Sequence, residues 1–107
     1  MLSRAERELL EQCRDVVREI VPGAKLILYG SRARGDAGLE SDYDLLILID
    51  SPVDWRLEDR IRQHLYNLEL ESRTALSVSA YNQSDWCSPL YRAMPFNQNI
   101  EKDGIIL

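Results

Sequence analysis

The sequence predicts a mixed α/β (α+β) protein, a small mixed β-sheet with helices packed on one face. Three observations predict it. Segments with apolar residues at helical spacing alternate with short apolar runs of strand length, in the order α-β-loop-β-α-β-α-α. The strand-like runs are few and short, so the sheet is small. The chain has 107 residues, 45% hydrophobic and 29% charged, which is enough apolar material for one core and not for two. A single domain over residues 1–107 is therefore expected. The sequence has no internal repeat, low-complexity stretch or linker.

Each element has a local reason. Ser3 and Glu6 have the spacing of a capping box, in which each side chain satisfies a free backbone N–H at a helix start. Leu9, Leu10, Cys13, Val16, Val17, Ile20 and Val21 then follow a helical stripe until Pro22-Gly23. Residues 25–29 (KLILY) read as a buried strand that Gly30 stops. Residues 31–41 are polar and contain glycine, which predicts a loop with room for a helical turn. Residues 43–50 (YDLLILID) form the second strand, ended by Ser51-Pro52. Asp54 caps a helix whose buried stripe is Leu57, Ile61, Leu65 and Leu68. Residues 74–81 (TALSVSAY) alternate apolar and small polar side chains, the pattern of a strand with one open face. Ser84 is the expected cap of a short helix containing Trp86, in which Pro89 lies too far inside to suit the first turn. Pro95 suits the first position of a last helix reaching about Lys102, with Gly104 as its C′ residue and Ile105 to Leu107 either forming a last short strand or docking on the core.

Composition excludes some functions. The formal net charge is −5 and the pI about 4.8, so bulk attraction to nucleic acid or to an anionic membrane is not expected. Two cysteines, Cys13 and Cys87, are too few for a disulfide framework and are expected to be small buried hydrophobes. His64 is the only histidine, and nothing has zinc-ligand spacing. Arg4, Glu6, Arg7 and Glu8 interrupt any apolar leader, and no apolar run is long enough to span a bilayer. A cytoplasmic protein without a membrane partner is expected.

One segment carries chemistry. It begins with a strand that ends in Gly30-Ser31, where glycine permits close approach of a ligand to the backbone. A helical turn there would present free N–H groups to an anion such as phosphate. Ser31 adds a hydroxyl, and Arg32 and Arg34 add positive charge. Then come Asp42 and Asp44, two apart at a strand start, hence on one face. Two carboxylates there repel unless a cation lies between them, and hard oxygen ligands select magnesium or manganese. Together these features point to a metal–polyphosphate site. A Walker A loop is excluded, because Asp36-Ala37 stands where Lys-Ser/Thr is required.

Residues 30–45, GSRARGDAGLESDYDL, carry the pattern G-S-x-A-R-G, a short gap, then S-D-x-D-L. This resembles the DNA polymerase beta-like nucleotidyltransferases, in their minimal nucleotidyltransferase branch. The likeness runs more loosely over most of the chain. It implies a polymerase beta-like nucleotidyltransferase fold in a single minimal domain. It implies a nucleoside triphosphate, ATP or a similar nucleotide, held with Mg2+ (or Mn2+) ions, transfer of its monophosphate to a hydroxyl, and release of pyrophosphate. By position, Gly30, Ser31, Arg34 and Ser41 would bind the phosphates, and Asp42 and Asp44 would be the metal ligands and catalytic carboxylates. Such proteins are often paired with a helical protein of the HEPN type, some pairs acting as toxin and antitoxin. Templated polymerisation is not expected, for the chain has no fingers, thumb or basic duplex groove.

The pattern breaks at one place. Active relatives of that family carry a third carboxylate on the third strand, and this strand has neither Asp nor Glu. Ser77 is the expected equivalent, with Ser79 second. A neutral serine leaves one fewer negative charge for two divalent metals and is no general base at neutral pH. Glu69, Glu71 and Glu40 are the nearest acids, the first two read as a solvated helix end and the third as loop. The alternative to an enzyme is thus a catalytically weak nucleotide-binding or antitoxin-type subunit of a two-protein complex. Trp55, Trp86, Tyr91, Met94 and Phe96 are expected mostly in the core.

Overall fold

The computed structural model describes residues 2–36, Gly38 and residues 41–107. Helix α1 (Arg4–Ile20) starts at Ser3, whose hydroxyl accepts the Glu6 N–H while the Glu6 carboxylate accepts the Ser3 N–H, so the capping box is complete. Strand β1 (Lys25–Tyr29) runs directly into a one-turn helix, α2 (Gly30–Arg34), the helical turn anticipated in the loop. Strand β2 (Tyr43–Ile49), helix α3 (Trp55–Ser72) and strand β3 (Leu76–Asn82) follow. Asp54 caps α3 by accepting the Leu57 N–H at 2.9 Å.

Three short helices complete the chain with a two-residue strand: α4 (Gln83–Trp86), α5 (Pro89–Arg92), α6 (Pro95–Asp103) and β4 (Ile105–Ile106). Here two sequence expectations are corrected. Asn82, not Ser84, caps α4, because its side-chain oxygen reaches the N–H groups of both Ser84 and Asp85. Pro89 is not stranded inside that helix; it opens a new one, capped by the Ser88 hydroxyl. Gly104 does close α6, but with φ −66° rather than in a left-handed turn. Its glycine is needed for space, since a Cβ there would lie 2.5 Å from the Ile100 carbonyl oxygen and 2.8 Å from an Ile27 methyl.

The sheet order is β3-β2-β1-β4, with β2 and β3 parallel and the other pairs antiparallel. Alternation along β2 divides the core. Tyr43, Leu45, Ile47 and Ile49 face α1 and α3, where Leu10, Cys13, Val17, Ile61 and Leu65 close an aliphatic layer. This is the helix-covered face that the sequence predicts. Leu46 and Leu48 face the other way, and the short helices cover them with Trp86, Ile100 and Phe96. Both faces of β2 are thus buried, as its near-continuous apolar run YDLLILI requires.

The cysteines part company. Cys13 is buried, which pushes its thiol up to about 12, whereas Cys87 is exposed at the end of α4 and departs from the expectation. Trp86 is buried, with Phe96 and Tyr91 packed around it, but Trp55 is 71% exposed because it stands at the first turn of α3 outside the buried stripe. Among the described residues no helix is long and apolar enough to cross a membrane.

Candidate active site

The junction of β1 and α2 is a backbone device. Tyr29 is extended, and Gly30 turns the chain at φ +74°, a conformation costly for any residue with a Cβ. The space at Gly30 is used as well. A Cβ there would fall 2.3 Å from Asp44 Oδ2. The Asp44 carboxylate therefore lies directly against the start of α2, which only glycine permits. Gly35, in the left-handed region, ends the turn by donating its N–H to the Ser31 carbonyl at 3.0 Å.

Register decides what surrounds Asp44. It pairs with Tyr29 across β1 and with Ser77 across β3. Because Tyr43 and Leu45 face the aliphatic layer, Asp44 points to the opposite, aromatic face, and its two partners share that face. Ser77, the third-strand position that the sequence singles out, thus stands beside Asp44 and is exposed; Ser79 is one step further along that face. Asp44 is half-buried and Asp42 exposed. Burial and then the neighbouring Asp42 charge raise the Asp44 pKa, against the opposing pull of Arg34. Burial raises the Tyr29 phenol too, against a hydrogen bond with Ser79.

The two arginines of α2 behave differently, although the sequence presents them as one positive patch. Arg34 is exposed, pairs with Asp36 at 3.3 Å and acts electrostatically on Asp44. It also lines, with Tyr29, Gly30, Phe96 and Asp103, a cleft of about 200 Å³ between α2 and α6. Arg32 is turned back into the fold. Its Nε and Nη2 donate to the Ser41 carbonyl at 3.1 and 2.9 Å, and its guanidinium lies over the Tyr43 ring at 4.4 Å. Ser41 itself accepts the Gly38 N–H through its hydroxyl at 3.0 Å.

The alternative acids are used elsewhere or lie apart. Glu69 accepts the Leu76 N–H at 3.2 Å, steering the chain into β3 on the side of the aliphatic layer. Glu71 is exposed on α3, and Glu40 lies outside the described residues. No trio of acidic, histidine or cysteine side chains gathers into a metal cluster among the described residues. Sequence reasoning missed Glu6 as a neighbour of this region. It receives the Tyr43 hydroxyl at 2.9 Å and faces Arg32 at 3.6 Å, and its role in the capping box gives no hint of either contact.

Over residues 10–106 the sequence matches the nucleotidyltransferase domain family. It is 27% identical over 95 residues to "Probable protein adenylyltransferase MntA" of Haemophilus influenzae, covering 89% of this chain and 83% of that protein. Its fold resembles a chain from the crystal structure of a toxin–antitoxin with AMP-PNP, with a TM-score of 0.60 and 18% identity, over 90% of this chain and 69% of that one. At that identity the likeness is one of fold. A sequence match that spans both the β1–α2 junction and the aspartates of β2, on a fold of the same kind, means that the chain belongs to the nucleotidyltransferase domain family.

Proposed function

We propose that this protein binds ATP, or a similar nucleoside triphosphate, with a divalent metal and transfers its nucleoside monophosphate to a hydroxyl group. The observation that carries this reading is the Asp44 carboxylate seated against Gly30, with Asp42 beside it. Two crowded carboxylates at a glycine-opened backbone suit a hard cation that is shared with phosphate oxygens. Asp42 and Asp44 would hold Mg2+ or Mn2+, which when bound offsets the negative charge growing on the leaving pyrophosphate. Gly30 and Ser31 would receive the phosphates at the start of α2. Arg34 and the Ser41 hydroxyl would be the further donors. In the transfer, the acceptor oxygen forms a bond to the α-phosphorus. The bond from that phosphorus to the bridging oxygen breaks, pyrophosphate leaves, and the hydroxyl proton passes to solvent. The acceptor most in keeping with the adenylyltransferase relative is a protein hydroxyl.

A second reading has its own support. Ser77 stands where a third carboxylate would complete the set, and it brings no charge and no base. The chain would then act as a nucleotide-binding, antitoxin-type subunit of a complex with a HEPN-like helical protein, and transfer slowly. The fold shared with a toxin–antitoxin chain agrees with either reading.

Calorimetric titration of the chain with ATP and magnesium tests the first step, beside the Asp42→Ala/Asp44→Ala double variant. Binding in the natural chain and none in the double variant is expected. Equal binding by both would sink the proposal. Ser77→Asp then separates the readings. A rise in transfer of labelled monophosphate to a protein acceptor supports the serine as the weak point of the site. Rapid transfer by the natural chain, with no gain from Ser77→Asp, would remove the second reading.

A further inference from the structure

One side chain touches the residues on both sides of Asp42, the backbone of Ser41 and the ring of Tyr43. Arg32 binds the carbonyl of Ser41, the residue before Asp42, through two donors at 3.1 and 2.9 Å. The same guanidinium stacks at 4.4 Å over the ring of Tyr43, the residue after it. Glu6, from the first turn of α1, closes the arrangement: its Oε2 accepts the Tyr43 hydroxyl at 2.9 Å and pairs with Arg32 Nη1 at 3.6 Å. The group is well shielded, with Tyr43 5% exposed and the side chains of Arg32 and Glu6 at 17% and 25%. Within the signature G-S-x-A-R-G…S-D-x-D-L, Arg32 and Tyr43 occupy the positions left open, and Glu6 lies outside it altogether.

We infer that Arg32, with Tyr43 and Glu6, is a clamp that fixes the direction of Asp42 at the mouth of the site. Arg32 is thus a positioning residue. The geometry needs a guanidinium. Two donors in one plane grip the carbonyl, and the flat face of the same group covers the ring. A lysine keeps the charge and reaches the same neighbourhood, but offers neither the planar fork nor the stacking face. Asp42 itself is exposed, so its aim depends on the backbone that carries it. A carboxylate carried on a shifting backbone would be a poor metal ligand, for small displacements at a reacting centre are costly.

The test uses Arg32→Lys in the full chain with two readouts. Amide hydrogen exchange over residues 41–44 should rise about tenfold while the rest of the sheet and α3 keep their protection. The affinity for ATP with magnesium should fall about tenfold, the scale expected for a misplaced ligand carboxylate, with little change in Tm. This affinity arm rests on the function proposed above; the exchange arm does not. Arg34→Lys is the contrast and should leave exchange at residues 41–44 as it was. Unchanged exchange in Arg32→Lys overturns the clamp. Raised exchange with full nucleotide affinity overturns its positioning role and leaves a structural tie. If the natural chain binds no nucleotide, the proposed function falls and the exchange arm alone decides the clamp. Should Arg32→Lys fail to fold, Tyr43→Phe removes only the hydroxyl bond to Glu6, and should raise exchange at residues 41–44 by a smaller factor.

Discussion

The two faces of the sheet are built differently. Under α1 and α3 the packing is aliphatic and closed: Leu26, Leu28, Leu45, Ile47, Leu10 and Val17 have no exposed surface. Under the short helices it is aromatic, with Trp86, Phe96, Tyr81 and Tyr91 in edge and tilted contacts at centroid distances from 5.2 to 6.4 Å. That second face is also incomplete. Towards Asp44 it gives way to Tyr29, Ser77 and Ser79, and the polar side chains meet the surface there. The difference teaches where a domain this small keeps its chemistry. One face is given over to stability, and the other closes only part of the way and leaves the candidate site at its open end.

Core truncations test that division most strongly. Trp86→Ala and Leu45→Ala should each cost about 3–4 kcal/mol in urea unfolding. The two variants should differ in nucleotide binding. Trp86→Ala should loosen α4–α6 and lower nucleotide affinity as well, whereas Leu45→Ala should lower stability and leave the affinity of the folded fraction nearly intact. Equal loss of affinity in both would erase the distinction between the faces.

A smaller effect on stability, with a larger one on the site, is expected from Gly30→Ala. Its positive φ alone costs about 1–2 kcal/mol for a residue with a Cβ. The added methyl must also push Asp44 away, since the space is already taken. Nucleotide titration of the folded variant should show no binding; retained affinity would mean that the Asp44 contact does not matter.

The smallest effect belongs to Glu6, on the closed side but joined to the site. The backbone N–H of Ser3 is the main cause that holds its carboxyl below the ordinary 4.5, with Tyr43 and Arg32 adding to it. A depressed carboxylate stabilises the fold above its unfolded pKa, and this stability is lost as the pH falls through the lower folded value. Glu6→Gln keeps the capping contact and removes the charge. It should cost about 0.5 kcal/mol at neutral pH. The gap to the natural chain should close as the pH drops below 4.5. A gap independent of pH would place the effect in packing rather than in charge.

Much of the fold is legible in the sequence because it is local. The capping box at Ser3, the Asp54 cap and the bounds of β1 follow from neighbouring residue types, and the structure bears them out. The cap of α4 is harder to read because Asn82 also ends a strand, so its side chain has two possible uses and Ser84 is the simpler choice. Glu69 reads as a solvated helix end, yet β3 brings the Leu76 N–H within its reach. Trp55 belongs in the core on grounds of size, but at the start of α3 it lies off the buried stripe and is exposed.

The sequence by itself determined the first helix, the first three strands and the long helix between the second and third of them, the glycine–serine turn and the spacing of Asp42 and Asp44. These depend on backbone preference and on side chains a few residues apart, and such effects survive without the rest of the molecule. Tertiary structure alone decided that Asp44 rests on Gly30, that Ser77 stands at its side, and that Arg32 turns inward while Arg34 stays out. Each of those depends on strand register or on residues far apart in the chain, as Tyr43 and Glu6 are by 37 positions. Two arginines on one short helix are chemically equal in a sequence; only the groups that fold up around each one make them different.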